Sequence, residues 1–334
     1  MITNYEAVIV LSFGGPEKRE DVLPFLENVL HGKDVPRARM LQVAEHYYRL
    51  GGRSPINDQN RQLIAALESE LARHGPHLPV YWGNRNWHPR LADTLQVMKR
   101  DGVRRALAFV TSAYSSYSGC RQYLEDIARA RSEIGAGAPQ IDKLRTFYNH
   151  PGFIAALASR VSAAMAEVPF ERKPAAHLVY TAHSIPASMA RDSRYVEELR
   201  ETCALVSRTV GRDGDSLVYQ SRSGPPAQPW LEPDILDYLR RLPARGISDI
   251  VIAPVGFVSD HLEVLYDLDT EAKSLCDGLN MHMVRASTVG SHPDFIRMIR
   301  ELIVERVEDS PRRALGVLGP SPDVCAPGCC LPPQ

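Results

Sequence analysis

The sequence predicts an α/β protein of two similar lobes, each a flavodoxin-like parallel sheet flanked by helices. Short apolar runs with almost no charge, such as residues 7–13, alternate with longer segments of helical apolar spacing. This alternation restarts near residue 177. A chain of 334 residues is also long enough for two cores of ordinary size. Uncharged strands between amphipathic helices are typical of a parallel sheet that is covered on both faces.

The first half of the chain is predicted to form the first lobe. The predicted strands are 7–13, 79–82, 105–111 and 144–147. The predicted helices are 21–30, 37–50, 59–74, 91–99, 121–134 and 151–167, the last of which opens the second lobe. Breaks rich in glycine and proline, such as the one at 14–16, separate these elements.

The second half repeats the pattern. Strands are predicted at 177–181, 217–220, from 251 onward and at 282–286, with helices at 189–210, 234–241 and 294–308. A further helix is predicted after Ser259 and Asp260, which supply N-cap chemistry. We therefore expect lobes at 1–150 and 151–308. The Cys-rich tail 309–334 is too rich in Pro and Gly to hold regular structure by itself.

Composition limits the class of protein. The chain has 44% hydrophobic and 24% charged residues and a net charge of −1, so nothing favours a nucleic-acid or anionic-membrane partner. No apolar run approaches the ~20 residues of an integral membrane segment. The first residues resemble a strand and turn rather than a signal peptide. We therefore expect a cytoplasmic protein, in which structural disulfides would be unusual.

An acidic row follows the strand that begins near 251. Glu263, Asp267 and Glu271 have the i, i+4, i+8 spacing of one helix face. A solvated surface is the ordinary explanation, but ligands of open α/β sheets bind where strands end. Carboxylate oxygens there favour a divalent cation or a proton path. His183 also follows a predicted strand. A lone histidine is often structural, yet imidazole can bind a metal or accept a proton near neutral pH.

Aromatic and hydroxyl side chains lie in other loops at strand ends. The loop 221–233 contains four prolines and Trp230, which offers a flat apolar face. In the first lobe the candidates are Phe13, Arg53, Ser54, Tyr114, Tyr117 and Tyr123. Each taken alone could be ordinary packing, but together they suit a large planar ligand carrying carboxylates. The usual Gly-rich phosphate motifs are missing from the sequence, which disfavours nucleotides.

The cysteines are unevenly distributed. Of six, Cys325, Cys329 and Cys330 lie in the last ten residues. Four thiolates are the usual ligands of an iron–sulfur cluster or a structural zinc. The fourth could be Cys120, Cys203 or Cys276. We favour Cys120 because it lies in a predicted loop, whereas the other two lie in helical patterns typical of buried thiols. The alternative is a disordered tail whose cysteines have no common role.

The sequence resembles the ferrochelatases, which insert Fe(II) into a porphyrin in haem synthesis. The segments that carry the resemblance are LSFGGPE (11–17), GGRSPIN (51–57), GNRNWHP (83–89), TSAYSSYSGC (111–120), TAHSIP (181–186), YQSRSGPPAQPWLEPDI (219–235) and PVGFVSDHLEVLYDLDTEA (254–272). The resemblance implies two flavodoxin-like lobes with the active-site cleft between them.

The resemblance also implies roles for individual residues. His183 and Glu263 would be the central metal and proton pair, and Asp267 and Glu271 the outer carboxylates. Ser54 and Tyr123 match positions that hold the substrate's propionates, and Phe13 and Trp230 are expected to contact the ring. The tail resembles that of relatives carrying a [2Fe-2S] cluster, with Cys120, Cys325, Cys329 and Cys330 as its ligands.

Within the family, these segments look most like those of the bacterial branch typified by actinobacteria, whose members act on coproporphyrin III and make coprohaem. Phe13 departs from relatives that have an iron-ligating tyrosine there, and Leu30 and His46 or Tyr47 fall near positions where others have basic residues. The basic residues Lys18, Arg19, Lys33, Arg37 and Arg39 near the expected mouth favour a tetra-acid substrate. The alternatives are protoporphyrin as the substrate, a non-enzymatic haem or metal carrier, and a cobalt or nickel chelatase. Handover of the product to the next enzyme of haem synthesis is also expected.

Overall fold

The chain folds into two four-stranded parallel sheets with helices on both faces. The structure is a computed structural model that describes residues 4–32, 35–212, 216–224, 227–326 and 328–332. The strands are β1 Ala7–Ser12, β2 Val80–Asn84, β3 Arg105–Val110, β4 Gln140–Lys143, β5 His177–His183, β6 Ser216–Gln220, β7 Asp249–Ala253 and β8 His282–Arg285. Their orders are β2-β1-β3-β4 and β6-β5-β7-β8, with every neighbouring pair parallel. The predicted two-lobed α/β class is confirmed.

Helices connect the strands in the order that the sequence predicts. They are α1 Val22–Leu30, α2 Arg37–Arg49, α3 Ile56–His74, α4 Leu91–Arg100, α5 Gln122–Ile134, α6 Pro151–Glu167, α7 Ala187–Arg191, α8 Tyr195–Val210, α9 Ile235–Arg241, α10 Leu262–Val264, α11 Lys273–Gly278 and α12 Pro293–Val307. Two π-helical segments, Tyr117–Arg121 and Leu265–Ala272, precede α5 and join α10 to α11. Three short 3₁₀ turns lie at Arg19–Asp21, Phe170–Ala175 and Pro243–Arg245.

The two lobes share one core. The Phe109 ring of β3 stacks on Phe147 with ring centroids 5.3 Å apart. Phe147 in turn contacts Phe153 of α6, and Phe295 of α12 packs against all three rings. All four side chains are buried. Because aromatic burial contributes strongly to cohesion, these contacts hold α6 and α12 against the first sheet.

One predicted strand is wrong in position. The strand predicted at 144–147 is instead at Gln140–Lys143, and residues 144–149 form a buried irregular segment. Leu144 and Phe147 are apolar because they enter the shared core, while β4 is an edge strand whose polar residues conceal it. The segment 189–210, predicted to be mostly helix, is mostly helical, in α7 and α8.

Within the described ranges, no helix combines the length and apolarity needed to cross a membrane.

A buried ion pair joins the irregular segment to α12. Arg145 Nε and Nη2 donate to the two carboxylate oxygens of Glu305 at 2.7 and 2.9 Å, and both side chains are buried. We expect Glu305→Ala to lower the free energy of unfolding by about 3–5 kcal/mol, because it leaves a buried guanidinium unpaired. Denaturant unfolding measures this. The exposed pair Arg240–Asp237 is the control, and Asp237→Ala should cost no more than about 1 kcal/mol. Equal losses would contradict the assignment.

Candidate active site

A cleft of about 420 Å³ lies between the lobes, at the carboxyl ends of both sheets. The strand orders explain its position, because each sheet changes winding direction at its second gap, between β1 and β3 and between β5 and β7. Ligands of open α/β sheets bind at such switch points. Seven of the candidate residues predicted from the sequence line the cleft: Phe13, Ser54, Tyr114, Tyr123, His183, Trp230 and Glu263.

His183 is the last residue of β5, and its imidazole is oriented by backbone groups. Nδ1 lies 2.5 Å from the Ser184 carbonyl oxygen, which can only accept, so Nδ1 carries the proton of the neutral ring. Tyr195 Oη donates to the His183 carbonyl at 2.9 Å. Nε2 is thereby left with its lone pair, 3.6 Å from Glu263 Oε2. The neutral imidazole can accept a proton or a metal on the side that Glu263 faces.

A second histidine, His261, lies beside Glu263 and was not predicted. Its Nδ1 is 3.9 Å from Glu263 Oε2. Burial lowers the pKa of His261, although the Glu263 carboxylate opposes the shift. The ring is therefore largely neutral at pH 7. Among the described residues, no set of three or more His, Cys, Asp or Glu side chains is arranged to hold a metal ion.

The acidic helix, residues 262–278, differs from the predicted regular α-helix. It begins at Leu262 with His261 as its N-cap residue, so the prediction of Ser259 and Asp260 as caps is wrong. Asp260 instead binds Gln59 of the first lobe and Arg285. The segment Leu265–Ala272 is π-helical, a form that is rare and frequent at functional sites.

The acidic row is half-buried at its centre, Asp267, whereas Glu263 and Glu271 on either side are exposed. Asp267 accepts hydrogen bonds from Ser221 Oγ and, at 3.3 Å, from Gln220 Nε2. Burial raises the pKa of Asp267 to about 7; the Ser221 bond opposes this, and nearby Glu263 and Glu271 add to it. Burial also raises the pKa of Glu271. Asp267 is consequently divided between its two protonation states near neutral pH and can exchange protons there.

The first-lobe wall combines aromatic faces with buried polar groups. Phe13 is 39% exposed and meets Phe25 edge-on, with ring centroids 6.2 Å apart. Ser54 and Tyr123 are buried at the cleft surface. Tyr114 also lines the cleft, but its hydroxyl is already bound, donating to the Val255 carbonyl at 2.8 Å.

Other first-lobe candidates lie elsewhere. Arg53 pairs with Asp58 at the surface, and the Tyr117 hydroxyl donates to Glu125. Neither is among the described residues that line the cleft. Tyr117 follows β3, whereas Arg53 lies between α2 and α3 and follows no strand, and neither position determined the direction of the side chain.

Sequence reasoning missed Arg85, which lines the cleft with its side chain only 7% exposed. Its Nε donates to Asp126 at 2.5 Å, and its guanidinium lies 3.7 Å from the centroid of the Tyr123 ring. The signal that could have identified it was its position immediately after β2, at the same sheet edge as Phe13.

Four cysteines lie around a second cavity, of about 430 Å³: Cys120, Cys325, Cys329 and Cys330. The Sγ atoms of Cys329 and Cys330 are 3.5 Å apart. A hydrogen bond between the thiols of Cys120 and Cys325 raises the pKa of Cys120 and lowers that of Cys325. The structure thus brings Cys120 to the three tail cysteines.

The two cysteines that were not favoured lie elsewhere. Cys203 is buried in α8 and Cys276 in α11, in two different apolar clusters.

Comparison with known proteins gives the same family over the whole fold. The family model described as ferrochelatase matches residues 5–307. A ferrochelatase from Rhodopirellula baltica is 56% identical, covering 98% of this chain and 93% of the relative. A coproporphyrin III ferrochelatase from Nocardia farcinica is 49% identical, covering 98% and 97%.

A solved structure shows the shared fold. SirB from Bacillus subtilis with Fe³⁺ matches with a TM-score of 0.57 at 13% identity, covering 92% of this chain and 97% of that one. With a family match across both lobes and relatives at about half identity, the chain belongs to the ferrochelatase family.

Proposed function

We propose that the protein inserts Fe(II) into coproporphyrin III to give coprohaem, a step of haem biosynthesis. The observation that carries the proposal is the His183–Glu263 pair, whose atoms Nε2 and Oε2 face each other at 3.6 Å inside a cleft between two lobes. Relatives named coproporphyrin III ferrochelatase, at 46–51% identity over 97–98% of the chain, support this substrate.

Insertion of iron releases two pyrrole protons, so the site needs a base close to the ring centre. His183 Nε2 accepts a proton, since Nδ1 is held as a donor by the Ser184 carbonyl. Glu263 shares the proton and meets the incoming Fe(II). The metal is the reaction's substrate here. Asp267 and Glu271 extend from this pair as carboxylates with raised pKa values, suited to passing protons outward or iron inward.

The cleft walls suit a flat tetrapyrrole. Phe13 on one lobe and Trp230 on the other offer aromatic faces. Ser54 and Tyr123 supply hydroxyls for propionates, as the family resemblance implies. Of the basic residues expected near the mouth, Lys18, Arg19, Arg37 and Arg39 are exposed, while Lys33 lies outside the described residues. These exposed cations favour a substrate with four carboxylates over a more apolar ring.

A protoporphyrin ferrochelatase is the second candidate. The apolar groups in the cleft favour it, since they would also accept a porphyrin with only two propionates. A non-enzymatic haem carrier and a cobalt or nickel chelatase are weaker alternatives. The His183–Glu263 pair speaks against a carrier, because a carrier needs no base beside the metal. A cobalt or nickel chelatase stays an alternative because the cleft ligands do not by themselves select the metal.

Four other predictions from the sequence stay predictions: the boundaries 1–150, 151–308 and 309–334, a location in the cytoplasm, the absence of a nucleic-acid partner, and product handover to the next haem-synthesis enzyme.

Substrate choice can be measured directly. We expect wild-type protein to insert Fe(II) anaerobically into coproporphyrin III with a kcat/KM at least about tenfold above that for protoporphyrin IX in detergent-free buffer, because each tenfold needs only about 1.4 kcal/mol. Initial rates from the Soret shift measure this. A higher kcat/KM for protoporphyrin IX would contradict coproporphyrin III as the substrate. Absence of turnover with both porphyrins would contradict the enzymatic function and favour the non-enzymatic carrier.

The metal and proton pair can be separated from porphyrin binding. His183→Ala should reduce Fe(II) insertion by at least about a thousandfold, since it removes the base, while the porphyrin Kd stays within about threefold. Glu263→Gln should reduce activity more than Glu271→Gln, because Glu271 is the outermost carboxylate of the row and lies farther from His183 along the chain. Equal losses, or loss of porphyrin binding in His183→Ala, would contradict these roles.

We propose further that the tail carries a [2Fe-2S] cluster. Support comes from four thiols that line one cavity, two of them with Sγ atoms 3.5 Å apart, although no three of the described side chains are already placed as ligands of one metal ion. Cys120, Cys325, Cys329 and Cys330 would hold it. When bound, the cluster would supply one-electron redox chemistry and cross-link the tail to the π-helical segment Tyr117–Arg121 that precedes α5. The Arg121 guanidinium donates to the Cys329 carbonyl at 3.2 Å and holds the tail at this place.

This proposal has a readout independent of activity. We expect anaerobically purified protein to contain two iron and two acid-labile sulfide atoms per chain, and Cys325→Ser to lose both together with the visible charge-transfer absorption. Cys203→Ser is the matched control, because Cys203 is buried in α8 away from the cavity, and it should retain the cluster. Retention of iron by Cys325→Ser, or its loss from both variants, would contradict the ligand set.

A further inference from the structure

Three residues that line the cleft carry unpaired donors. Arg85 Nη2 and Asn86 Nδ2, on adjacent residues after β2, are buried and have no hydrogen-bond partner among the described residues. Trp230 Nε1 on the opposite lobe is in the same state. Buried N–H groups nearly always have a partner. Because all three are donors, the group that would satisfy them must be an acceptor, and carboxylate is an acceptor only.

Arg85 also brings an uncancelled charge to this wall. It is the only Lys or Arg among the described residues that line the cleft. Its partner Asp126 is shared with Arg129, whose side chain is 65% exposed and lies outside the cleft lining. Two guanidinium groups and one carboxylate leave this cluster with a net positive charge, and Arg85 is the guanidinium of the two that lines the cleft.

The guanidinium is held rigidly, so one edge is preorganised for a ligand. Its Nε donates to Asp126, Nη1 donates to the Ser118 carbonyl and to Gln122 at 3.3 Å, and its face rests on Tyr123. Only Nη2 is left over. A group fixed in this way loses little conformational freedom when it binds a carboxylate.

The substrate of the proposed reaction carries carboxylates that need such a partner. His46, near a position where relatives have a basic residue, stacks on Tyr266 with ring centroids 3.9 Å apart. Burial lowers the pKa of His46, so the ring is largely neutral at pH 7. The described cleft lining therefore offers a tetra-acid one permanent cation, on the loop after β2.

We propose that Arg85 binds a carboxylate of the porphyrin through Nη2, with Asn86 Nδ2 donating to the same carboxylate, and that this contact favours tetra-acid porphyrins. The inference rests on the proposed function, since it takes the porphyrin as the ligand of the cleft. Arg85 is then a binding and specificity residue rather than a base or a metal ligand.

The test compares Arg85→Gln and Arg85→Lys with wild type by fluorescence titration of metal-free porphyrin. We expect Arg85→Gln to raise the Kd for coproporphyrin III about ten- to hundredfold, the range for a charge-assisted hydrogen bond. The Kd for coproporphyrin tetramethyl ester, measured in one common low-detergent buffer, should change less than threefold. Arg85→Lys keeps the charge but not the planar fork, so its Kd should lie between the two.

Arg129→Gln is the matched control, because it alters the same Asp126 from outside the cleft. It should leave both Kd values within about twofold of wild type. The proposal is overturned if Arg85→Gln weakens acid and ester equally, or if Arg129→Gln reproduces its effect. If Arg85→Gln does not fold, Arg85→Lys decides the matter in the same way, since unchanged binding of the free acid by that variant overturns the planar contact.

Kinetics separate this inference from the proposed function. Fe(II) insertion by Arg85→Gln should show a raised KM for coproporphyrin III and a kcat within about threefold of wild type, whereas a fall in kcat alone would overturn the binding role. If wild type inserts no metal, the proposed function fails, and the titrations still report on Arg85.

Discussion

The geometry of the cleft depends on the close contact between the end of β5 and the segment after β7. The Gly256 amide donates to the Thr181 carbonyl at 3.0 Å, and a Cβ at position 256 would lie 2.6 Å from Ala182 Cα. Only glycine allows this approach, which keeps the strand that ends in His183 and the segment that leads to Glu263 at a fixed separation. Tyr114 of the first lobe donates to the adjacent Val255 carbonyl, so the opposite wall is attached to the same segment.

Much of the fold could be predicted, because buried parallel strands form uncharged runs and helices keep their apolar period. An uncharged apolar run indicates a buried segment, so it predicts a strand wrongly where an irregular segment is buried. Residues 144–147 are apolar through the shared aromatic core, so a strand was predicted there, while the true edge strand Gln140–Lys143 has a polar sequence. Local propensity likewise did not reveal that Leu265–Ala272 is π-helical, since that depends on side-chain burial and tertiary contacts.

The site was predictable to the extent that strand ends meet at one edge. His183 and Glu263 follow adjacent strands β5 and β7, and the rule for parallel sheets brings them together. The same rule does not determine which loop side chains turn inward, so Arg53 was included and Arg85 was not. That Cys120 meets the tail cysteines was inferred from its place in a predicted loop and from the family resemblance. Positions so far apart in sequence, one of them in a tail with few regular contacts, carry no periodic signal.

The charges on the two walls of the cleft favour different positions for the two substrates of the proposed reaction. Glu263, the member of the acidic row that lines the cleft, lies on the second lobe, and Arg85, the one guanidinium among the described lining residues, lies on the first. A cation is drawn toward Glu263 and a carboxylate toward Arg85, so iron and the porphyrin periphery are attracted to different walls. The raised pKa of Asp267 fits this separation, because a carboxyl that is partly protonated at neutral pH limits repulsion within the acidic row. In the proposed reaction the planar ring would then be held with its nitrogens beside the His183 imidazole, where the protons must leave.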